Sequence, residues 1–365
     1  MNIAMISLYL PSETKMGVGY QAHAMANTLV SRGHCVTLFT PCAKPADAQY
    51  TLHPVNVGNS LRTFRFAWNL RKIDFSGFQI IHAHGDNYWL WSRRRRPPIV
   101  RTMHGSCLVE AKNIPGLKEK LRMSMLYLTE LMAVAAADKT VAVSSNTLKY
   151  YPGLHTVIPN GVDVAAFSPA ANRNAGLPPA SEQATPPPPD NGKSPVPAIL
   201  FVGTYANRKR GKLLMEIFAR DILPKLPDAQ LWMVCSDAPA AAGVTIFGRI
   251  PEHQLTDLYR RAWVFCLPST YEGFGIPYIE AMASGTAVVA SPNVGAVEVT
   301  RHGQDGLIAP DDKLGESLLR VLTDETLRHK LEAAGLERVK EFDLNSVCKR
   351  YEEIYQSLIN ARQHA

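Results

Sequence analysis

The chain has 365 residues, of which 46% are hydrophobic and 19% charged, the profile of a globular protein with about two domains. Its net charge of +7 is uneven, because residues 1–169 hold 18 Lys and Arg against 9 Asp and Glu, and the remainder holds 21 against 23. No apolar run reaches the length of a transmembrane helix, and none of the six cysteines forms a C-x-x-C pair, which argues against a metal knuckle.

The first half of the chain alternates short apolar runs with helical stretches. Its start, Met1–Leu10, is interpreted as a buried first strand rather than a signal peptide, because it has no basic leader and no small-residue cleavage site. This order predicts βαβ units and a mostly parallel sheet. Further strands are predicted at 35–40, 80–84, 99–103, 140–144 and 156–158, with helices that include 23–32 and 117–137.

A segment rich in Pro and Ala, residues 170–197, interrupts this pattern and is predicted to be a linker or an exposed loop. A second alternating run follows it. We therefore predict two Rossmann-like, doubly wound α/β domains that face each other across a cleft. They comprise residues 1–169 and 198–343, and a C-terminal helix over 344–365 is expected to cross back to the first domain.

The segment Glu272–Pro277 follows a predicted strand and opens a helix. Pro277 suits the first helical turn, and Gly273 and Gly275 allow a ligand to approach the backbone closely. The N–H groups at the helix start form an anion site suited to a phosphate. Glu272 and Glu280 could then accept hydrogen bonds from the sugar and ribose hydroxyls of a nucleotide-sugar. On spacing alone, an ordinary helix start with solvated acids remains the alternative.

In context, this segment resembles the E-x7-E signature of retaining glycosyltransferases of family four. The other motifs of that family occur in the same order through both halves of the chain, apart from the Pro-rich segment. They are Arg32-Gly33-His34, His82-Ala83-His84, Thr102-Met103-His104-Gly105, Pro159-Asn160-Gly161-Val162-Asp163, Gly248-Arg249-Ile250-Pro251, Met282-Ala283-Ser284-Gly285 and Asp305-Gly306-Leu307-Ile308. The resemblance implies the GT-B fold and transfer of a sugar, with retention, from a nucleoside-diphosphate-sugar without a divalent cation.

The resemblance also implies roles for individual residues. Glu272 would bind hydroxyls of the donor sugar, and Glu280 would bind the ribose. Backbone N–H groups around Phe274 and Gly275 would face the sugar and the diphosphate. The loop Arg249-Ile250 would border the base.

The loop Gly203–Gly211 follows a strand and carries three consecutive cations, Arg208, Lys209 and Arg210. Such cations suit a diphosphate, whose leaving charge they neutralise. The family has Arg where this chain has Thr204, and Lys where it has Arg210. We expect Arg208 or Lys209 to compensate for Thr204 and expect Arg210 to act in catalysis; a solvated turn is the alternative.

The sequence Gly17-Val18-Gly19 formally fits a dinucleotide-binding fingerprint. Pro11–Met16 separates it from the first strand, and no acidic residue follows the second strand, so a nicotinamide cofactor is not expected. The loop instead resembles the family's Gly-rich loop, in which Gly17 and Gly19 would close over the donor phosphate or the acceptor. Met16 replaces the usual first Gly.

Three histidines follow or end predicted strands. A lone His such as His104 is more often structural than catalytic, but the resemblance places His104 against the donor sugar beside the reacting carbon. His82 and His84 are two residues apart on one strand and therefore share a face. We expect one of them to shape the acceptor side.

Two basic features suit an anionic surface. Arg93–Arg96 follows Trp89-Leu90-Trp91. The helix 117–131 carries basic residues beside an apolar stripe, namely Lys118, Lys120 and Arg122 beside Met123, Met125, Leu126 and Leu128. No nucleic-acid fold signature accompanies them, so nucleic acid is not an expected partner. An anionic bilayer or a polyprenyl-diphosphate acceptor fits the arginine run better, although a solvated basic face is the alternative. For the helix, packing of its apolar stripe in the core is the expected outcome.

These features together predict a cytoplasmic hexosyltransferase that acts on a glycan or lipid-linked acceptor in bacterial surface polysaccharide assembly, with peripheral binding to the inner membrane face as one alternative. No cofactor or metal is expected, because the nucleotide-sugar is a co-substrate. A sugar-nucleotide epimerase shares the fold, but no motif supplies its acid and base. A non-catalytic binding subunit is the third hypothesis, supported by Thr204 and Met16.

Overall fold

The computed structural model describes residues 1–11, 17–58, 61–90, 96–113, 116–151, 153–169 and 193–364. It contains two compact units, one formed by Met1–Gly161 with Leu344–Ala365 and the other by Val162–Asp343. Each unit holds one six-stranded parallel sheet between helices, so the predicted α/β fold class is correct. Within the described ranges, no helix combines the length and the apolar character needed to cross a membrane.

The first unit is built on a sheet with the strand order β3-β2-β1-β4-β5-β6. Four of the five residues of the central strand β1 are fully buried, which explains the apolar start of the chain. The carboxyl ends of β4 and β5 carry the predicted histidines. The elements are β1 (Asn2–Ile6), α1 (Gly17–Ser31), β2 (Cys35–Thr40), β3 (Thr51–Pro54), α2 (Arg62–Leu70), β4 (Ile80–Ala83), β5 (Ile99–Met103), α3 (Cys107–Asn113), α4 (Leu117–Ala136), β6 (Lys139–Ala142) and α5 (Ser145–Leu148).

The second unit has the strand order β12-β11-β10-β7-β8-β9, again parallel throughout. A 3-10 turn at Asn207–Lys209 precedes α7, and a π-helical turn at Phe218–Ile222 follows it. The elements are α6 (Val164–Phe167), β7 (Ala198–Val202), α7 (Gly211–Ile217), β8 (Gln230–Val234), β9 (Val244–Ile246), α8 (Glu252–Arg261), β10 (Val264–Leu267), α9 (Ile276–Ala283), β11 (Ala287–Ala290), α10 (Val294–Val299), β12 (Leu307–Ile308), α11 (Asp311–Thr323) and α12 (Glu325–Arg338).

The last helix, α13 (Leu344–Gln363), belongs to the first unit although the second unit precedes it in the chain. It buries Val347, Cys348, Tyr351 and Tyr355 in the core beneath α1 and β1. Arg32 adds a bidentate ion pair to Glu352, with both distances 2.7 Å. A buried apolar stripe of α13 therefore holds this helix in the first unit.

The division between the units differs from the predicted boundary at residue 169. It falls after Gly161, because α6 packs on the second unit: the Phe167 ring lies 6.1 Å from that of Tyr259, and Arg260 donates to the Ser168 carbonyl at 2.7 Å. The end of the predicted linker also belongs to that unit, since the Lys193 ammonium donates to the Ala262 carbonyl at 2.8 Å. Residues 170–192 lie outside the described residues.

One predicted strand is wrong. Residues 156–158 form only an isolated bridge, between Ala142 and Val157, rather than a seventh strand. Conversely, β3 was not predicted, because it is an exposed edge strand without an apolar face.

Candidate active site

The predicted helix start in the second unit lies at the carboxyl end of β10. Gly275 caps α9 with a left-handed φ of 101°, and a side chain there would come within 2.5 Å of the Tyr278 ring. Only glycine meets both demands. Pro277 occupies the first helical turn, as predicted from the sequence.

Glu272 lies at the centre of a cluster of hydrogen bonds in this loop. Its side chain is 7% exposed, and one oxygen, Oε1, accepts from three donors. These are Lys209 Nζ at 2.7 Å, Arg208 Nη1 at 3.0 Å and Ser269 Oγ at 2.6 Å. Arg208 also donates to the Tyr271 carbonyl at 2.8 Å. The structure therefore brings together Glu272, Arg208 and Lys209, as their assignment to one donor site requires.

Burial and charge act in opposite directions on this cluster. Burial raises the pKa of Glu272, but the charges of Lys209 and Arg208 and the hydrogen bonds from Lys209 and Ser269 outweigh it, so the pKa is lowered overall. Burial lowers the pKa of Lys209, and the charge of Glu272 opposes that change. Glu272 is therefore ionised at neutral pH and holds two cations beside the start of α9.

Two residues that sequence reasoning missed support the cluster. Asn293 donates to the carbonyls of Ser269 and Ser291 at 3.2 and 3.0 Å and caps α10 by accepting from Ala296 N at 2.9 Å. Gly295 lies so close to Glu272 that a Cβ atom would be 2.7 Å from Glu272 Cβ. The N-cap pattern before α10 was visible in the sequence, but its contact with the Glu272 loop was not.

Arg210 does not join the Glu272 cluster. Its guanidinium forms a bidentate pair with Asp311 at 2.6 and 2.9 Å and donates to Ser291 Oγ at 3.0 Å. The Arg210 backbone has a left-handed φ of 54°. Thr204 is exposed, and its hydroxyl donates to the Ala206 carbonyl at 2.9 Å. Lys209 and Arg208, rather than Arg210, thus supply the cations nearest to Glu272.

The other residues predicted to bind the donor lie on α9, in the loop before it and in the loop between β9 and α8. Glu280 lies on α9 and accepts a hydrogen bond from the buried Tyr259 hydroxyl at 2.9 Å. The Phe274 ring is buried against Phe342, with 5.8 Å between centroids, so only the Phe274 backbone can face a ligand. Arg249 is exposed and Ile250 half-buried in the loop between β9 and α8.

In the first unit, Gly17 and Gly19 form the first turn of α1. A Cβ atom at Gly19 would lie 2.9–3.0 Å from the Leu10 backbone, whereas one at Gly17 would meet no atom within 4 Å. Gly19 is thus required for packing of the helix start against Leu10, in the segment that follows β1. Met16 lies outside the described residues.

His82 occupies a structural position, so its predicted contact with an acceptor is not supported by its surroundings. The side chain is completely buried between β4 and α13. Its Nε2 pairs with the Thr102 hydroxyl at 2.8 Å, and its Nδ1 pairs with the Tyr355 hydroxyl at 2.5 Å. Burial and then the nearby His104 lower the pKa of His82 to about 3. No ring nitrogen remains for a ligand.

His84 and His104 form a stacked pair at the carboxyl ends of β4 and β5. Their ring centroids are 5.2 Å apart, and His84 Nδ1 lies 2.9 Å from His104 Nε2. Burial and then the charge of Arg101 lower the pKa of His104 to about 4, so both rings are neutral at pH 7. His84 Nε2 is buried without a hydrogen-bond partner among the described residues. His84 is therefore placed to orient His104.

A group of charged residues that sequence reasoning missed adjoins this pair through Arg101. Arg101 is buried on β5 and donates to Asn87 Oδ1 at 2.5 Å. Asp86 follows β4 with a left-handed φ of 58°. Burial raises the pKa of Asp86 to about 7, although Arg101 opposes this and Glu130 adds to it. These carboxylates were not predicted, because Asp86 has no motif and Glu130 lies within a helix.

Two family models match the sequence of the chain. The model described as Glycosyltransferase Family 4 matches residues 16–166, and the one described as Glycosyl transferases group 1 matches residues 196–324. The chain belongs to the family 4, group 1 glycosyltransferases, and it has the GT-B fold and glycosyltransferase function of that class.

Individual relatives resemble the whole chain. The phosphatidyl-myo-inositol mannosyltransferase of Mycobacterium tuberculosis is 26% identical over 97% of each chain. Among solved structures, sucrose-phosphate synthase from Thermosynechococcus elongatus gives a TM-score of 0.78 at 22% identity, over 99% of each chain. Anabaena HepE in complex with UDP-glucose gives 0.71 at 15% identity, over 98% of this chain and all of that one. These two structural likenesses establish the fold.

Proposed function

We propose that this glycosyltransferase uses a nucleoside-diphosphate-sugar as donor and transfers the sugar to an acceptor hydroxyl with retention. The observation that carries the proposal is the buried Glu272, which holds Lys209 and Arg208 beside the start of α9. A carboxylate for sugar hydroxyls, two cations and helix amides for a diphosphate are the groups that such a donor needs. The UDP-glucose bound by the HepE relative is consistent with this donor class.

The cations explain how the leaving group would depart. As the bond to the anomeric carbon breaks, negative charge develops on the β-phosphate, and Lys209 and Arg208 together with the amides of α9 stabilise it. In the proposed front-face route, the departing diphosphate accepts the proton of the acceptor hydroxyl. Since fixed protein cations supply the charge, we propose that the reaction needs no divalent metal, and that activity persists in excess EDTA.

The acceptor is proposed to be a glycan or glycolipid at the inner face of the bacterial membrane, in surface polysaccharide or glycolipid assembly. The basic first half of the chain and the phosphatidylinositol acceptor named for the mycobacterial relative support an acidic or lipid-linked acceptor.

The test is incubation of the full chain with a panel of nucleotide-sugars while nucleoside diphosphate release is followed. Release from one donor is expected, and NMR of the transferred product should show the donor's anomeric configuration. Epimerised donor without release would support the epimerase instead. Thermal stabilisation by a donor without turnover would overturn the catalytic proposal in favour of a binding subunit.

A further inference from the structure

Core packing is confirmed for Met123 of α4, but an apolar stripe of this helix that includes Met125 and Leu128 faces solvent. Its members are three or four residues apart, so they share one face of the helix. They are Leu117, Leu121, Met125, Leu128 and Leu131, with exposures between 37% for Leu131 and 85% for Leu117. An exposed row of five large apolar side chains in a folded protein marks an interaction surface.

The opposite face of α4 already anchors the helix to its unit. Met123 and Ala133 are buried there. The Tyr127 hydroxyl donates to the Tyr150 carbonyl at 2.7 Å, and Glu130 accepts from the Tyr151 hydroxyl at 2.6 Å. The exposed stripe is therefore additional to the core-facing side of the helix.

Positive charges border the stripe. At about 100° per residue, Lys118 and Lys120 fall on its two edges, and both side chains are exposed. The acid nearest to them, Glu119, points to another side of the helix and pairs with Arg122 at 2.7 Å. An apolar stripe with lysines along both edges is the pattern of a helix that lies in the interface of an anionic bilayer.

The neighbouring helix α2 also carries exposed apolar and basic residues. Phe64 of α2 and Met132 of α4 pack in one small cluster with Trp89, so the two helices adjoin. Trp68 is 49% exposed, and its ring lies 5.8 Å from that of Trp89 and 4.7 Å from the Arg71 guanidinium. Residues 61–72 include Arg62, Arg65, Arg71 and Lys72 and no acidic residue.

We propose that this surface, formed by the α4 stripe and the exposed residues of α2, binds an anionic lipid bilayer. The leucines would enter the headgroup boundary, and the flanking cations would contact lipid phosphates. Charge complementarity selects the bilayer over a second copy of this basic chain. The inference rests on the proposed function, because it identifies the surface that would bring the enzyme to its acceptor.

Arg96, the last residue of the arginine run predicted to contact a membrane, does not belong to this surface. Arg96 is buried, and it donates to the Leu90 carbonyl at 2.9 Å and to Asp138 at 2.9 Å. Arg96 is thus structural, while residues 91–95 lie outside the described residues.

The test is flotation of the full chain with vesicles made of equal parts phosphatidylcholine and phosphatidylglycerol. We expect binding to these vesicles and not to pure phosphatidylcholine. Leu121→Ser/Leu128→Ser should weaken partition by about tenfold or more. Val297→Ser, which changes a similarly exposed side chain of the second unit, should bind as the wild type does.

Substitution of the flanking lysines distinguishes lipid binding from self-association. Lys118→Gln/Lys120→Gln should weaken binding to the anionic vesicles, and the exposed pair Lys313→Gln/Lys330→Gln should not. Equal flotation of the leucine variant and the wild type would overturn the proposal. So would analytical ultracentrifugation that shows the wild type and the lysine variant as dimers and the leucine variant as a monomer. Donor hydrolysis without vesicles should survive in the leucine variant, so failure of the bilayer inference and failure of the proposed function give different results.

Discussion

Burial of His82 couples the stability of the first unit to pH. The unfolded chain binds a proton to this ring below about pH 6.5, whereas the native ring, with both nitrogens bonded inside the core, resists protonation down to about pH 3. Between those values the unfolded state binds more protons, so stability falls as the pH falls. Because pH 5 lies about 1.5 units below the unfolded pKa, His82 alone should lower the free energy of unfolding at pH 5 by about 2 kcal/mol relative to neutral pH.

The substitution His82→Gln tests this coupling, with urea unfolding of the variant and the wild type measured by circular dichroism at pH 7.5 and pH 5.0. The variant should be less stable at pH 7.5 by about 1–3 kcal/mol, because Tyr355 loses a partner. Its loss of stability between the two pH values should be smaller than that of the wild type by about 2 kcal/mol. An identical loss in both proteins would refute the argument.

An exposed histidine provides the control with the opposite sign. His329 pairs with Glu332 at 2.9 Å and with Glu325 at 3.2 Å, and hydrogen bonds to these acids raise its pKa. A raised pKa contributes stability at pH values below the unfolded pKa, which is lost as the pH rises through the folded one. His329→Gln should therefore leave the loss of stability between pH 7.5 and pH 5.0 unchanged or make it slightly larger.

Four further changes probe the site. His84→Asn should lower kcat more than it changes KM, because His104 loses its partner, and the exposed His155→Asn should have no effect; equal kinetics would contradict the positioning role. Gly295→Ala should destabilise the protein by about 1–3 kcal/mol through its clash with Glu272, whereas Gly77→Ala, which meets open space, should be nearly neutral in thermal unfolding. Arg210→Ala and Asp311→Ala should reduce turnover equally, and the double variant should add little; full activity of Asp311→Ala would show that Arg210 acts on the donor directly. The front-face route needs no general base, so Asp86→Asn should keep kcat well above the roughly hundredfold loss that removal of a general base causes. A loss of that size, with a changed pH–rate profile, would show that Asp86 acts as the base.

Much of the fold follows from the sequence because its signals are local. The apolar strands and the Pro-rich interruption are visible in composition, and the start of α9 is marked by Gly275 and Pro277. The edge strand β3 lacks such a signal. The unit boundary also lacks one, since it depends on Phe167 reaching Tyr259, a contact between residues far apart in the chain.

The site was predictable as a set of residues but not as a network. Spacing and family resemblance indicated Glu272 and the three cations, yet Arg208 and Lys209 reach Glu272 while Arg210 pairs with Asp311, and this division leaves no mark in the sequence. The exposure of the α4 stripe was likewise hidden, because the same periodicity describes a buried and an exposed apolar face. His82 and His84 are equivalent by spacing, but His82 bonds to Thr102 and to Tyr355 of the distant α13, whereas His84 pairs with His104.

Donor turnover by Glu272→Gln tests the central claim most directly. The change keeps the shape of the side chain and removes the charge that holds Lys209 and Arg208. With the donor identified from the nucleotide-sugar panel, kcat/KM should fall by about a hundredfold or more, while Glu316→Gln, the same substitution at an exposed position of α11, should retain wild-type values. Wild-type turnover by Glu272→Gln would contradict the assignment of this cluster as the donor site.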